Sequence, residues 1–188
     1  MARWKRSEGT VIAQFHVFGI RRHEMSRDDG PARPIFTFDT PDWCNVVPVT
    51  DDGKIVLVRQ HRFGIDAPSL EIPGGLVDPG ESPIDAAGRE LAEETGYEAG
   101  SLVSLGAIHP NPALQPNLLH MFLARGCKLH GRGQQLEELE DCEVVALDRA
   151  GLDRAMKSGE INHALVWAAL HAWHRHEEQE ALRPGGGA

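Results

Sequence analysis

The chain has 188 residues, 41% of them hydrophobic and 25% charged, the make-up of a folded domain with room for a real core rather than of a disordered chain. Lys and Arg total 19 against 28 Asp and Glu, a formal net charge of −9 that argues against a binder of nucleic-acid backbones. Cys44, Cys127 and Cys142 form no CxxC pair and read as free thiols of a reducing, cytoplasmic compartment, and the longest apolar run, Ala164 to Leu170, is far too short to span a membrane.

Between Thr10 and Phe38, alternating stretches such as Val11-Ile12-Ala13-Gln14 and Ile35-Phe36-Thr37-Phe38 flank the turn-like Asp28-Asp29-Gly30-Pro31 and predict an N-terminal antiparallel sheet. Cys44–Val49 and Lys54–Val58 flank Asp51-Asp52-Gly53, a hairpin signal. Ser82-Pro83-Ile84-Asp85 opens a helix by three rules at once: Ser caps, Pro suits the first helical position, and Asp three residues after the cap completes a capping box. Gly96 is its natural stop. Strands follow around Leu102–Ile108, Leu118–Ala124 and Cys142–Ala146, then helices over Asp148–Ser158 and Ala164–His174. The acidic and Gly-rich tail from His176 is expected to fray, and His171, His174 and His176 read as a solvated face rather than a zinc site. Strands with interspersed helices imply an α+β domain.

The chemistry concentrates on the helix opened by Ser82. There Glu90, Glu93 and Glu94 stand at i, i+3 and i+4 and project from one face. Three like charges repel, a cost that a bound divalent cation reverses. Hard carboxylate oxygens without thiolate or imidazole suit Mg²⁺, with Mn²⁺ as a substitute, and through the cation a phosphate ester or anhydride. A Glu-rich helix also arises as a plain solvated face, but the spacing here is specific: Gly75, Glu81, Arg89, Glu90, Leu91, Glu93, Glu94, Gly96 and Tyr97 fit G-x5-E-x7-R-E-U-x-E-E-x-G-U, where U is bulky and apolar or aromatic. Seven fixed residue types coincide by chance with a probability on the order of one in 10⁸.

This stretch resembles the box of the Nudix hydrolase family. The resemblance implies an α/β/α sandwich carrying the additional N-terminal antiparallel sheet, with Mg²⁺-dependent attack of water on a nucleoside diphosphate linked to another group. It implies Glu90, Glu94 and the Gly74 carbonyl as metal ligands, Glu93 as a direct or water-mediated ligand, and Arg89 as a brace of the carboxylates. Gln60-His61-Arg62, Leu70-Glu71-Ile72-Pro73-Gly74-Gly75, Pro112 and the stretch Leu136–Val144 resemble the ADP-ribose and nucleoside diphosphate sugar pyrophosphatase branch. That branch implies Glu138 as the general base, completing a catalytic set with Glu93 and Arg89, and Glu140 as an added metal ligand. Arg62 is the candidate phosphate contact, with a salt bridge inside the fold as its alternative. Trp4 is the candidate for stacking on a base, while Trp43 suits the core better.

The organisation implied is an N-terminal sheet region over residues 1–40 that serves dimerisation and covers substrate, a hydrolase domain over 41–176, and a flexible tail over 177–188, assembled as a homodimer without nucleic-acid or membrane partners. Residues 1–33 carry seven basic against four acidic side chains, a weakly positive arm over an anionic ligand. The expected reaction is hydrolysis of a nucleoside diphosphate sugar, of ADP-ribose or GDP-mannose type, to a nucleoside monophosphate and a sugar phosphate. The alternatives are a nucleoside triphosphate pyrophosphatase and a non-catalytic nucleotide-sugar sensor.

Overall fold

The computed structural model describes residues 3–28, 30–136 and 141–183. Strands β1 (Trp4–Arg6), β2 (Thr10–Gln14), β3 (Gly19–Arg27) and β4 (Arg33–Asp39) form an antiparallel N-terminal sheet, in which β1 and β2 lie end to end along one edge of β3 and β4 takes the other.

The second sheet is mixed. Its path runs β10 (Ser101–Ile108), β11 (Leu119–Leu129), β5 (Trp43–Thr50), β6 (Ile55–Arg62), β12 (Cys142–Leu147). β11 and β5 are parallel along eight residue pairs, whereas β5 and β6 pair only at Val49 and Ile55, beside the expected Asp51-Asp52-Gly53 turn. Beyond that point they part, and the gap takes β7 (Ala67–Glu71) against β6 and β8 (Gly74–Leu76) against β5. A two-residue strand, β9 (Tyr97–Glu98), pairs with the far end of β11.

Alternation along β5 and β11 gives the sheet two apolar faces. Cys44, Val46, Phe122 and Ala124 pack with Ala86, Ala87 and Leu91 of α1 (Pro83–Thr95). Val47, Leu119, Met121 and Leu123 pack on the opposite side with Val166, Ala169, Leu170 and Trp173 of α3 (Ala164–Ala181), aided by α2 (Arg149–Ser158). The result is a sheet between helices; each fully buried Leu or Val contributes about 1.5–3 kcal/mol. All three cysteines are free and buried, and burial pushes the Cys44 and Cys127 thiols up to about 11.

The acidic stretch from His176 continues α3 as far as Ala181, and along it Glu177 pairs with Arg149 and Glu180 with Arg125. Separately, the loop before β11 ties the N-terminal sheet to the core. The Phe38 N–H donates to Leu114 O at 2.8 Å, Asn117 Nδ2 to Pro41 O at 3.1 Å, and the Leu118 N–H to Asp42 Oδ1 at 2.8 Å.

Candidate active site

The α1 helix begins and ends as its sequence dictates. Ser82 Oγ accepts the Asp85 N–H and donates to Asp85 Oδ2 at 2.5 Å, Pro83 occupies the first turn, and Gly96 closes the helix in the left-handed region at φ 72°. These caps fix which side chains face β8. Glu90 and Glu94 are buried, at 8% and 3% exposure, and Glu94 Oε2 accepts the Gly74 N–H at 3.0 Å. Gly75 is a glycine for a steric reason: a Cβ there would lie 2.5 Å from Glu90 Cδ, in the space the carboxylate occupies. At Gly74 a Cβ would come within 2.6 Å of Asn45 Oδ1.

Arg89 organises the cluster. Its Nε and Nη2 donate to the two oxygens of Glu81 at 3.0 Å each, Nη1 to Glu90 Oε1 and Glu93 Oε2 at 2.9 Å, and Nη2 also to Leu76 O at 3.0 Å. A guanidinium has five N–H groups, and all are used. In this arrangement Arg89 joins three carboxylates and has no donor left for a ligand. Hydrogen bonding from Arg89 holds the Glu81 carboxyl below its usual range, and the acidic neighbours push the Arg89 pKa up. Glu81, whose role the sequence leaves open, is thereby a structural partner.

Beside this cluster lies a cavity of about 600 Å³. Val17, Phe18 and Phe38 of the N-terminal sheet region line it, as do Trp43 and Asn45 of β5, Gly74 and Gly75 of β8, and Arg62, Gln115 and His163. Gly74 and Gly75 thus belong to both parts, meeting Glu94 and Glu90 and also walling the cavity. Phe18 and Phe38 meet edge to face with centroids 5.4 Å apart.

The other sequence candidates are placed unevenly. Arg62 lines the cavity but gives its fork to Glu71, Nε to Oε1 at 2.9 Å and Nη2 to Oε2 at 2.6 Å, which is the salt-bridge alternative. Burial works to raise the Glu71 pKa, but Arg62 and His163 outweigh it and hold that carboxyl well below its usual range. Trp4 is not brought to the cavity within one chain; it stands 60% exposed on β1, opposite Arg27. Trp43 is partly buried against the core, as expected, and also lines the cavity. Glu138 and Glu140 lie outside the described residues. Phe18, Phe38, Gln115 and His163 were missed by sequence reasoning: the two Phe read as ordinary strand residues, and nothing local marks Gln115 or His163.

Among the described residues no three His, Cys, Asp or Glu side chains converge as a ready cation cage. The donor set nonetheless fits a hard divalent cation: the buried carboxylates of Glu90 and Glu94 lie against the glycines of β8, with Glu93 sharing the Arg89 guanidinium with Glu90. A mixed sheet between helices, with a short glycine strand laid against a carboxylate-bearing helix, defines the class: the chain belongs to the Nudix hydrolase family, and residues 42–166 match the NUDIX domain. The chain is 35% identical over 171 residues to the ADP-ribose pyrophosphatase of Bacillus subtilis (strain 168), covering 88% of this chain and 92% of that one. It is also 35% identical over 163 residues to the ADP compounds hydrolase NudE of Escherichia coli (strain K12), covering 85% and 86%. A crystal structure of an ADP compounds hydrolase superposes with a TM-score of 0.82 at 22% identity, over 98% of this chain and 97% of that one, and shares the fold.

Proposed function

We propose that this Nudix hydrolase cleaves the pyrophosphate bond of a nucleoside diphosphate sugar of ADP-ribose type, giving a nucleoside monophosphate and a sugar phosphate. The observation that carries the reading is one cavity whose wall includes both Phe18 and Phe38, which suit a base, and Gly74 and Gly75, which meet the box carboxylates and suit a diphosphate. The relatives named ADP-ribose pyrophosphatase and ADP compounds hydrolase support it.

Glu90, Glu94 and the Gly74 carbonyl would hold Mg²⁺, with Mn²⁺ as a substitute and Glu140 as an added ligand. Bound there, the cation neutralises charge developing on the phosphates and acidifies the attacking water. Arg89 keeps Glu90 and Glu93 aimed without touching substrate. Glu138 removes the water proton as general base.

The assembly is a homodimer. The N-terminal sheet region exposes Ile12, Phe15, Val17 and Phe36, each about half open, an apolar surface suited to a second copy. A cytoplasmic location agrees with the three buried free thiols, and among the described residues no helix is long and apolar enough to cross a membrane.

The deciding experiment is Mg²⁺-dependent release of monophosphate from ADP-ribose, GDP-mannose and deoxynucleoside triphosphates. AMP with ribose phosphate from ADP-ribose is the expected result. Release of inorganic pyrophosphate from triphosphates alone would replace the reading with a triphosphate pyrophosphatase, and tight binding without turnover with a sensor.

A further inference from the structure

Arg62, Glu71 and His163 come from three places in the chain and meet at the cavity wall. Glu71 is 2% exposed and its two oxygens take the Arg62 fork. His163 sets its Nδ1 3.2 Å from Glu71 Oε2, and that nitrogen is buried without an aligned hydrogen bond. The side chain as a whole is 40% exposed and lines the cavity together with Gly74 and Gly75. The two ring nitrogens lie on different edges, so an imidazole with Nδ1 turned into the protein presents its Nε2 edge to the cavity.

Two further observations single this residue out. His163 is the N-cap of α3, yet it makes no side-chain cap hydrogen bond, whereas Ser82 and Asp148 cap α1 and α2 in the ordinary way. A local rule set aside at a cavity wall marks a side chain held for another purpose. In addition, Arg62 and His163 are the cavity-lining side chains able to carry positive charge, and Arg62 is already neutralised by Glu71. A diphosphate ligand leaves His163 as the group available to meet it. Nδ1 faces the Glu71 carboxylate, so the other ring nitrogen is the one placed to meet a phosphate oxygen.

We propose that His163 is a further substrate-binding residue of this site, donating its Nε2–H to a phosphate oxygen while Glu71, itself fixed by Arg62, aims the ring. The inference rests on the diphosphate reading above and not on the identity of the base or sugar.

The test is calorimetry on the full-length protein in Mg²⁺ buffer with inorganic pyrophosphate and adenosine as separate probes, alongside ADP-ribose turnover. His163→Ala is expected to weaken pyrophosphate binding about tenfold, the size of a lost charged hydrogen bond, with adenosine binding unchanged. KM for ADP-ribose should rise by a similar factor while kcat stays within about twofold. His163→Gln, which retains a donor, should recover part of the loss, and circular dichroism should show both variants folded. Equal pyrophosphate affinity in wild type and His163→Ala, no pyrophosphate binding by the wild type, or a fall in kcat at unchanged KM would overturn the proposal. Pyrophosphate binding that depends on His163 in a protein that hydrolyses no nucleoside diphosphate sugar supports the contact and overturns the proposed substrate instead.

Discussion

On the α1 side of the site the groups are pinned: Arg89 has every N–H bonded, Glu94 holds the Gly74 N–H, and α1 is capped at both ends. On the side of the N-terminal sheet and the start of α3, Val17 is 50% and Phe38 37% exposed, and His163 meets Glu71 without an aligned hydrogen bond. The contrast follows the demands of the two tasks. Charge stabilisation at a reacting phosphate needs oxygens fixed to fractions of an ångström, whereas stacking on a base tolerates small shifts because its energy varies slowly with position. The α1 side accordingly carries a guanidinium with every N–H bonded, while the opposite wall combines exposed apolar side chains with one ionic cluster, Arg62, Glu71 and His163.

The strongest way to break this division is Glu94→Gln, which removes one carboxylate charge from the pinned side. Turnover of ADP-ribose should fall about a thousandfold, measured as AMP release in Mg²⁺, with the circular dichroism spectrum retained. Arg89→Lys replaces five donors in a rigid fork by three on a flexible stem, so Glu81, Glu90 and Glu93 lose their common brace. A drop in kcat of about 10–100-fold is expected, and unchanged kcat would show that the brace is not needed. Phe18→Ala probes the open side and should raise KM about tenfold with kcat within about twofold; equal loss in both parameters would mean that the two sides are not separable. Ser82→Ala removes the α1 cap, should cost about 1 kcal/mol in urea unfolding, and should leave kcat unchanged if the Arg89 network alone fixes the carboxylates.

The same division governs what was legible in the sequence. The box side could be read because its determinants are local: cap, first-turn proline, i/i+3/i+4 carboxylates and a terminal glycine all fall within 22 residues, 75–96, of one another. Only Gly75 needed the third dimension, since its missing Cβ answers to Glu90, fifteen positions on. The rest of the cavity wall was not legible because its residues are brought together from 17–18, 38–45, 115 and 163–165, and apart from Arg62 none carries a local mark. Arg62 shows the limit from the other direction. Its motif suggested a phosphate contact; in the structure its fork is held by Glu71, which the β6–β7 register sets opposite Val58 and not opposite Arg62. β8 and β9 escaped notice because strands of three and two residues are too short to display a period. The continuation of α3 escaped because Arg125 and Arg149, which hold its acidic end, are distant in the chain.

The buried cysteines have a practical consequence. With their thiols pushed up to about 11 and shielded by the sheet, Cys44 and Cys127 are almost wholly protonated at neutral pH and out of reach of alkylating reagents. Cys44 sits on β5 against α1 and Cys127 near the bulged end of β11, so each becomes reactive only when its own part of the sheet opens. With Cys142 at the start of β12 as the third buried thiol, the rate of labelling at each cysteine is a built-in clock for local opening at three separate points of the fold, readable without adding any probe to the chain.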